Sequence, residues 1–144
     1  MSNTRMVCVV RRDLQMTPGL LAAQVTHIAM GFIKQKAELD FVHHAGELKE
    51  FKKTYPKHGA MMFLPVEADW IKEPYIAVLA VNTPEELAVI LRMAQDEKLP
   101  VHEWRDVIPS TVLEGRVLDC LVGIAIGPCD SDSLRKVTGT LPLY

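Results

Sequence analysis

The run RMVCVVR, Arg5 to Arg11, is apolar at every position between its two arginines. A strand with one solvated face alternates apolar with polar residues, so an unbroken apolar run this short implies a strand covered on both faces, near the middle of a sheet. Such a strand needs elements above and below it. The following segment supplies one: Thr17 is placed to cap a helix whose first residue is Pro18, where the missing N–H would be unpaired in any residue. That helix is expected to run past Gly31 toward Lys36.

The rest of the chain repeats this alternation of strand and helix. Tyr75 to Val81, YIAVLAV, reads as a second buried strand, and NTPEELAVILRMAQDEKL follows as a helix with Thr83 at the cap, Pro84 at the first position and Glu86 closing a capping box. PVHEW reads as a short third strand, RDVIPSTVLEGR as a connection, and LDCLVGIAIGP as a fourth strand stopped by Gly127 and Pro128. Asp130 and Asp132 stand beside serines, where aspartate caps a helix more often than it catalyses. Strands alternating with helices imply an α/β layer fold. A chain of 144 residues, 49% of them hydrophobic, is long enough to bury one real core. Residues 37–73 lack a clean period. There an apolar stretch with Met61, Met62, Phe63 and Trp70 is expected to pack down as an extra strand or an interface, with a substrate lid as the alternative.

Composition removes several classes of function. No apolar run reaches the roughly 18 residues of a membrane span, and the N-terminal residues lack a cleavage-site pattern, so a cytoplasmic protein is expected. The three cysteines, Cys8, Cys120 and Cys129, form no Cys-x-x-Cys, which favours buried reduced thiols over disulfides or zinc. A formal charge of −2 argues against general affinity for nucleic acid. The densest basic cluster, Lys49, Lys52, Lys53, Lys57 and His58, is interleaved with Glu47 and Glu50 and reads as a solvated helix face, with a local basic patch as the alternative. His43 and His44 are adjacent and point to different sides of a helix, so no metal is expected. Neither a phosphate loop nor a Gly-x-Ser-x-Gly elbow is present, and no cofactor is implied.

What remains is a line of polar residues. Leu20, Gln24, His27 and Gly31 are spaced by four, three and four, and so share one stripe of the first helix. Asp13 follows the first strand; Asp106, Ser110 and Thr111 follow the third. Ester hydrolysis needs a base to position water, here Asp106 or His27, and donors for the developing oxyanion, here Gln24 or a hydroxyl. The competing reading is that Gln24 and His27 merely bond backbone or buried water.

Four segments together resemble the type 2 peptidyl-tRNA hydrolases. VVRRDLQM, GLLAAQVTHIAMG, GIAIGP and KVTGTLPLY are similar, in the same order, to that family's V-V-R-x-D-L-x-M, G-K-x-A-A-Q-x-S-H-A, G-I-G-P and V-T-G-H-L-K-L. The match brackets nearly the whole of residues 1–144, as one domain with an atypical insertion around 37–73. The resemblance implies a single-domain three-layer α/β sandwich with a mixed four-stranded sheet, a homodimer that needs no metal, and cleavage of the ester joining peptide to tRNA. It places catalytic roles on Asp106, Gln24 and His27, with Ser110 at a family threonine; from the residues themselves, Thr111 is a second hydroxyl donor and Asp13 a substrate-binding residue.

At other positions the chain departs from the family pattern. A helix lysine is Leu20 here, a lysine at the start of the second strand falls on Tyr75, and a threonine of the fourth strand falls on Val122. The Asp-Ala-Gly-Arg-Thr-Gln signature becomes DVIPST, which loses its arginine and puts Ser110 where the threonine would fall. Each lost charge weakens the grip on phosphate or oxyanion. Two further readings follow: the same scaffold binding a small molecule or a protein partner in a more apolar cleft lined by Leu20, Tyr75 and Val122, or a hydrolase of another ester or amide.

Overall fold

The computed structural model describes residues 2–35, 63–109 and 117–144. Along the chain these form β1 (Thr4–Arg11), a 3-10 turn (Arg12–Leu14), α1 (Pro18–Ala29), α2 (Pro65–Lys72), β2 (Ile76–Val81), α3 (Pro84–Asp96), β3 (Val101–Pro109), β4 (Val117–Asp130) and α4 (Ser131–Thr138). The sheet order is β2-β1-β4-β3, with β1 and β2 parallel and the other neighbours antiparallel. The unbroken run therefore is a central strand.

Alternate residues of β1 feed two cores. Val7 and Val9 meet Leu79, Val81, Ile124 and Ile126 beneath Leu87, Ile90 and Ala94 of α3 and Leu134 and Val137 of α4. Met6, Cys8 and Val10 point the other way, with Ala125, against Ile28 of α1, Phe32 and Trp70 of α2. Burying each large aliphatic side chain contributes about 1.5–3 kcal/mol, so both helical layers are held by the same strand. The result is the expected three-layer sandwich around a mixed four-stranded sheet. Burial also pushes the thiols of Cys8 and Cys129 up, to about 12 and about 11, which keeps them protonated.

The caps form as the sequence implies. Thr17 Oγ1 accepts from the Leu20 N–H at 3.3 Å and Thr83 Oγ1 from the Glu86 N–H at 3.1 Å, while the Glu86 carboxylate reaches back to the Asn82 N–H at 2.7 Å. Asp130 caps α4 through the Ser133 N–H at 2.8 Å. α1 ends at Ala29, turns at Met30, and the backbone is helical again over 31–35.

Four expectations need correction. β2 lies at the sheet edge and begins exposed, with Tyr75 and Ile76 54% and 39% accessible; the C-terminal tail covers its later half, where Ala80 donates to the Pro142 carbonyl and Tyr144 to the Val78 carbonyl, both at 3.0 Å. β3 continues through Arg105–Pro109, because alternating exposed Arg105 and Val107 with inward Ile108 is an edge-strand pattern that reads like a polar connection. β4 runs on past Gly127 and Pro128 to Asp130; Gly127 takes φ +113°, and a Cβ there would lie 2.6 Å from the Arg5 carbonyl oxygen, so only glycine lets the strand pass. Within 37–73, residues Pro65–Lys72 form a helix instead of a strand, and its Trp70 is buried against Phe32 while its indole donates to the Tyr75 carbonyl at 3.0 Å. The remainder, including His43, His44, the lysine cluster, Met61 and Met62, lies outside the described residues, as do Ser110 and Thr111.

Candidate active site

α1 runs antiparallel along the inner side of edge strand β3, and their periods match. Four helical residues rise about 6 Å and two strand residues about 6.6 Å, so a helix stripe meets every second residue of a strand. Leu20 packs over the cluster of Leu14, Ile108 and Val122; Gln24 bonds Trp104 and Asp106; His27 stacks on Trp104; and a Cβ on Gly31 would lie 2.9 Å from His102 Cβ. Gly31 is what lets the helix close down on the strand. The stripe therefore does line a wall, opposite His102, Trp104, Asp106 and Ile108.

At its centre Gln24 is 4% exposed and fully oriented by its neighbours. The Trp104 indole Nε1 donates to Gln24 Oε1 at 2.6 Å. An indole N–H can only donate, so the amide oxygen must face it, and the amide NH2 is thereby turned toward Asp106. Gln24 Nε2 donates to Asp106 Oδ2 at 2.9 Å, and the Val107 N–H donates to Oδ1 at 2.7 Å. Both bonds favour the charged carboxylate. They hold Asp106 below the usual aspartate range, the Gln24 bond most strongly, then the Val107 N–H, with partial burial opposing and His27 adding to the lowering.

His27 is exposed and lies over Trp104, ring centroids 4.6 Å apart and planes within 8°. The pair begins a groove of about 520 Å³ that continues past Gly31 to His102. Burial lowers the pKa of His102, with Glu67 acting against it.

Not every expected residue joins this centre. Asp13 is engaged by Arg11, which donates from Nε to Oδ1 at 3.1 Å and from Nη2 to Oδ2 at 2.7 Å. Tyr75 lies at the start of β2, on the opposite sheet edge, beneath the Arg5 guanidinium at 4.6 Å. Val122 is fully buried: β4 skips it where the register passes from Gly123 to Leu121, and it drops into the cluster with Leu14 and Ile108, so it lies under the wall and does not line it. Asp106 sits within β3 and not after it, so strand parity aims its carboxylate. Sequence reasoning missed Trp104. Its signal was parity with Asp106, two positions away on the strand.

Fold and site together define a small three-layer α/β protein whose polar centre, a charged carboxylate held by an amide that an indole orients, lies between the first helix and an edge strand. The chain belongs to the peptidyl-tRNA hydrolase PTH2 family, whose model matches residues 4–144. Among curated proteins it is similar to the peptidyl-tRNA hydrolase of Methanopyrus kandleri, 33% identical over 96% of this chain and 97% of the relative. The peptidyl-tRNA hydrolase of Sulfurisphaera tokodaii is 31% identical over 97% and 98%. Among solved structures, a protein of unknown function from Agrobacterium tumefaciens strain C58 shares the fold at a TM-score of 0.55 and 14% identity, covering 100% of this chain and 99% of that one.

Proposed function

We propose that this chain hydrolyses the ester joining a peptide to tRNA, returning the tRNA for reuse. One observation carries the reading: the Trp104–Gln24–Asp106 chain of hydrogen bonds keeps Asp106 charged and aimed beside an open groove. A carboxylate held below the usual range is a weak Brønsted base that stays charged, suited to orienting a water and steadying positive charge as it forms. The water oxygen bonds to the ester carbonyl carbon and gives up a proton toward Asp106. The carbonyl oxygen gains charge, for which the second N–H of Gln24 is the nearest side-chain donor in this reading, with Ser110 or Thr111 as hydroxyl donors. Collapse breaks the bond to the ribose oxygen, which takes that proton and leaves as a hydroxyl, and the peptide departs as a carboxylic acid that loses its remaining proton to solvent.

Membership in the family favours this over a scaffold that binds a small molecule or protein without hydrolysis. No helix among the described residues is long and apolar enough to cross a membrane. A cytoplasmic setting and a homodimer complete the reading, the latter tested by sedimentation of the purified chain. The deciding assay is turnover of purified peptidyl-tRNA by wild type and Asp106→Asn. Loss in the variant at a nearly unchanged thermal midpoint supports the role; equal rates overturn it.

A further inference from the structure

The groove beside the centre has a composition that the hydrolytic step does not use. It starts at the His27–Trp104 pair, is floored by Gly31, and ends at His102 and Glu103. It is aromatic at one end, where His27 is exposed over the Trp104 ring, and Lys34 joins its lining with the ammonium 5.8 Å from the Trp104 ring centroid. A flat aromatic face at a wet opening is what an unpaired nucleobase stacks on, and every base presents such a face regardless of sequence.

Position strengthens the argument. Trp104 precedes Asp106 by two strand residues, about 6.6 Å, and His27 follows Gln24 by less than one helical turn, about 4.5 Å. That offset is about the distance from a nucleobase to the ribose hydroxyls of the same nucleoside. A volume of about 520 Å³ also accommodates one nucleoside and not a stretch of helix. We infer that this groove seats the terminal nucleoside of the tRNA acceptor end, its base stacked on His27 and its ribose ester delivered to Gln24 and Asp106. The inference rests on the hydrolase reading above and adds how the ester is placed. His27 then positions the substrate through its ring face, and its nitrogens need carry no proton.

The test separates ring from nitrogen. His27→Ala removes the face, and loss of one stacked base is expected to raise KM for peptidyl-tRNA on the order of tenfold or more, with kcat little changed. His27→Phe keeps the face without the nitrogens and is expected to restore KM. Both substitutions are at an exposed position, so folding is not at stake. Alongside, adenosine is titrated into wild type while the Trp104 indole N–H and the Gly31 amide are followed by NMR, with ribose 5-phosphate as the probe that has a phosphate but no base. Saturable shifts at both positions with adenosine alone support the assignment. A fall in kcat in both variants, or shifts with ribose 5-phosphate and none with adenosine, would overturn it while leaving the hydrolase intact. Wild type that binds adenosine in the groove but never cleaves peptidyl-tRNA overturns the hydrolase reading, and with it the identity of the nucleoside as substrate.

Discussion

The two covered faces of the sheet use the same strands for different ends. Under α3 and α4, Val7, Val9, Leu79, Val81, Ile124 and Ile126 pack in an apolar cluster of aliphatic residues and Cys129. Under α1, Met6, Cys8 and Val10 start an equally apolar core, but toward β3 the contact turns polar, and Gln24, Trp104 and Asp106 bond to one another where apolar residues would have sufficed. A buried amide is costly unless each of its groups has a partner, so a stretch of interface that keeps one must satisfy it in full. The first face holds the protein together. The second aims a charge.

Substitutions that split stability from activity test this contrast most directly. Asp106→Asn keeps shape and size but removes the charge and one of the two acceptors that Gln24 and the Val107 N–H use, and peptidyl-tRNA turnover is expected to fall by about 10²-fold or more with only a small drop in thermal midpoint. A parallel fall in both would mean that Asp106 belongs to the structure, as the residues of the other face do. Leu87→Ala is the mirror experiment. Leu87 is fully buried under the sheet, and its truncation is expected to cost about 2–5 kcal/mol in denaturant unfolding while kcat of the folded enzyme holds.

The apolar face was the legible one. Its elements follow from local chemistry: the unbroken Val-rich run of β1, and the Thr83–Pro84–Glu86 cap that starts α3, need no knowledge of distant residues. The helix stripe was legible too, since a period is visible in one segment. The other half of the site was not. Arg105 to Pro109 looks like a connection because an edge strand shows its polar residues, and β4 looks finished at Pro128 although the chain continues extended. Trp104 gains its role only from Gln24, 80 positions earlier, and no local pattern carries a pairing across that separation.

Trp104→Phe examines that pairing. It leaves the buried Gln24 oxygen without a donor, at an expected cost of about 1–3 kcal/mol in unfolding. It also frees the amide to turn its oxygen toward Asp106, which removes the largest cause of the lowered pKa. The sign follows. A carboxylate depressed in the folded state is charged, and its pairing stabilises the protein, above the unfolded value; both are lost as pH falls through the folded value. In wild type the acid limb of the rate profile is therefore expected below the usual aspartate range, and in Trp104→Phe it should move up. An unmoved limb would separate the indole from the carboxylate.

The smallest expected effect concerns the position where the stripe meets the apolar cluster. Leu20 is half-buried over Leu14, Ile108 and Val122, and the family pattern has a lysine here. Leu20→Lys keeps most of the hydrocarbon, because a lysine stem can lie along apolar surface with its ammonium in water, so stability should change little. The added charge sits one helical turn before Gln24, on the side away from the groove that begins at His27. There it can meet a phosphate only if the tRNA backbone extends past the ester in that direction. If it does, affinity for tRNA rises and the slope of log K against log salt steepens by about 0.7–0.9, one phosphate's worth of counterion release. An unchanged slope would direct the backbone to the groove side, and would leave Leu20 as part of the packing that the two faces share.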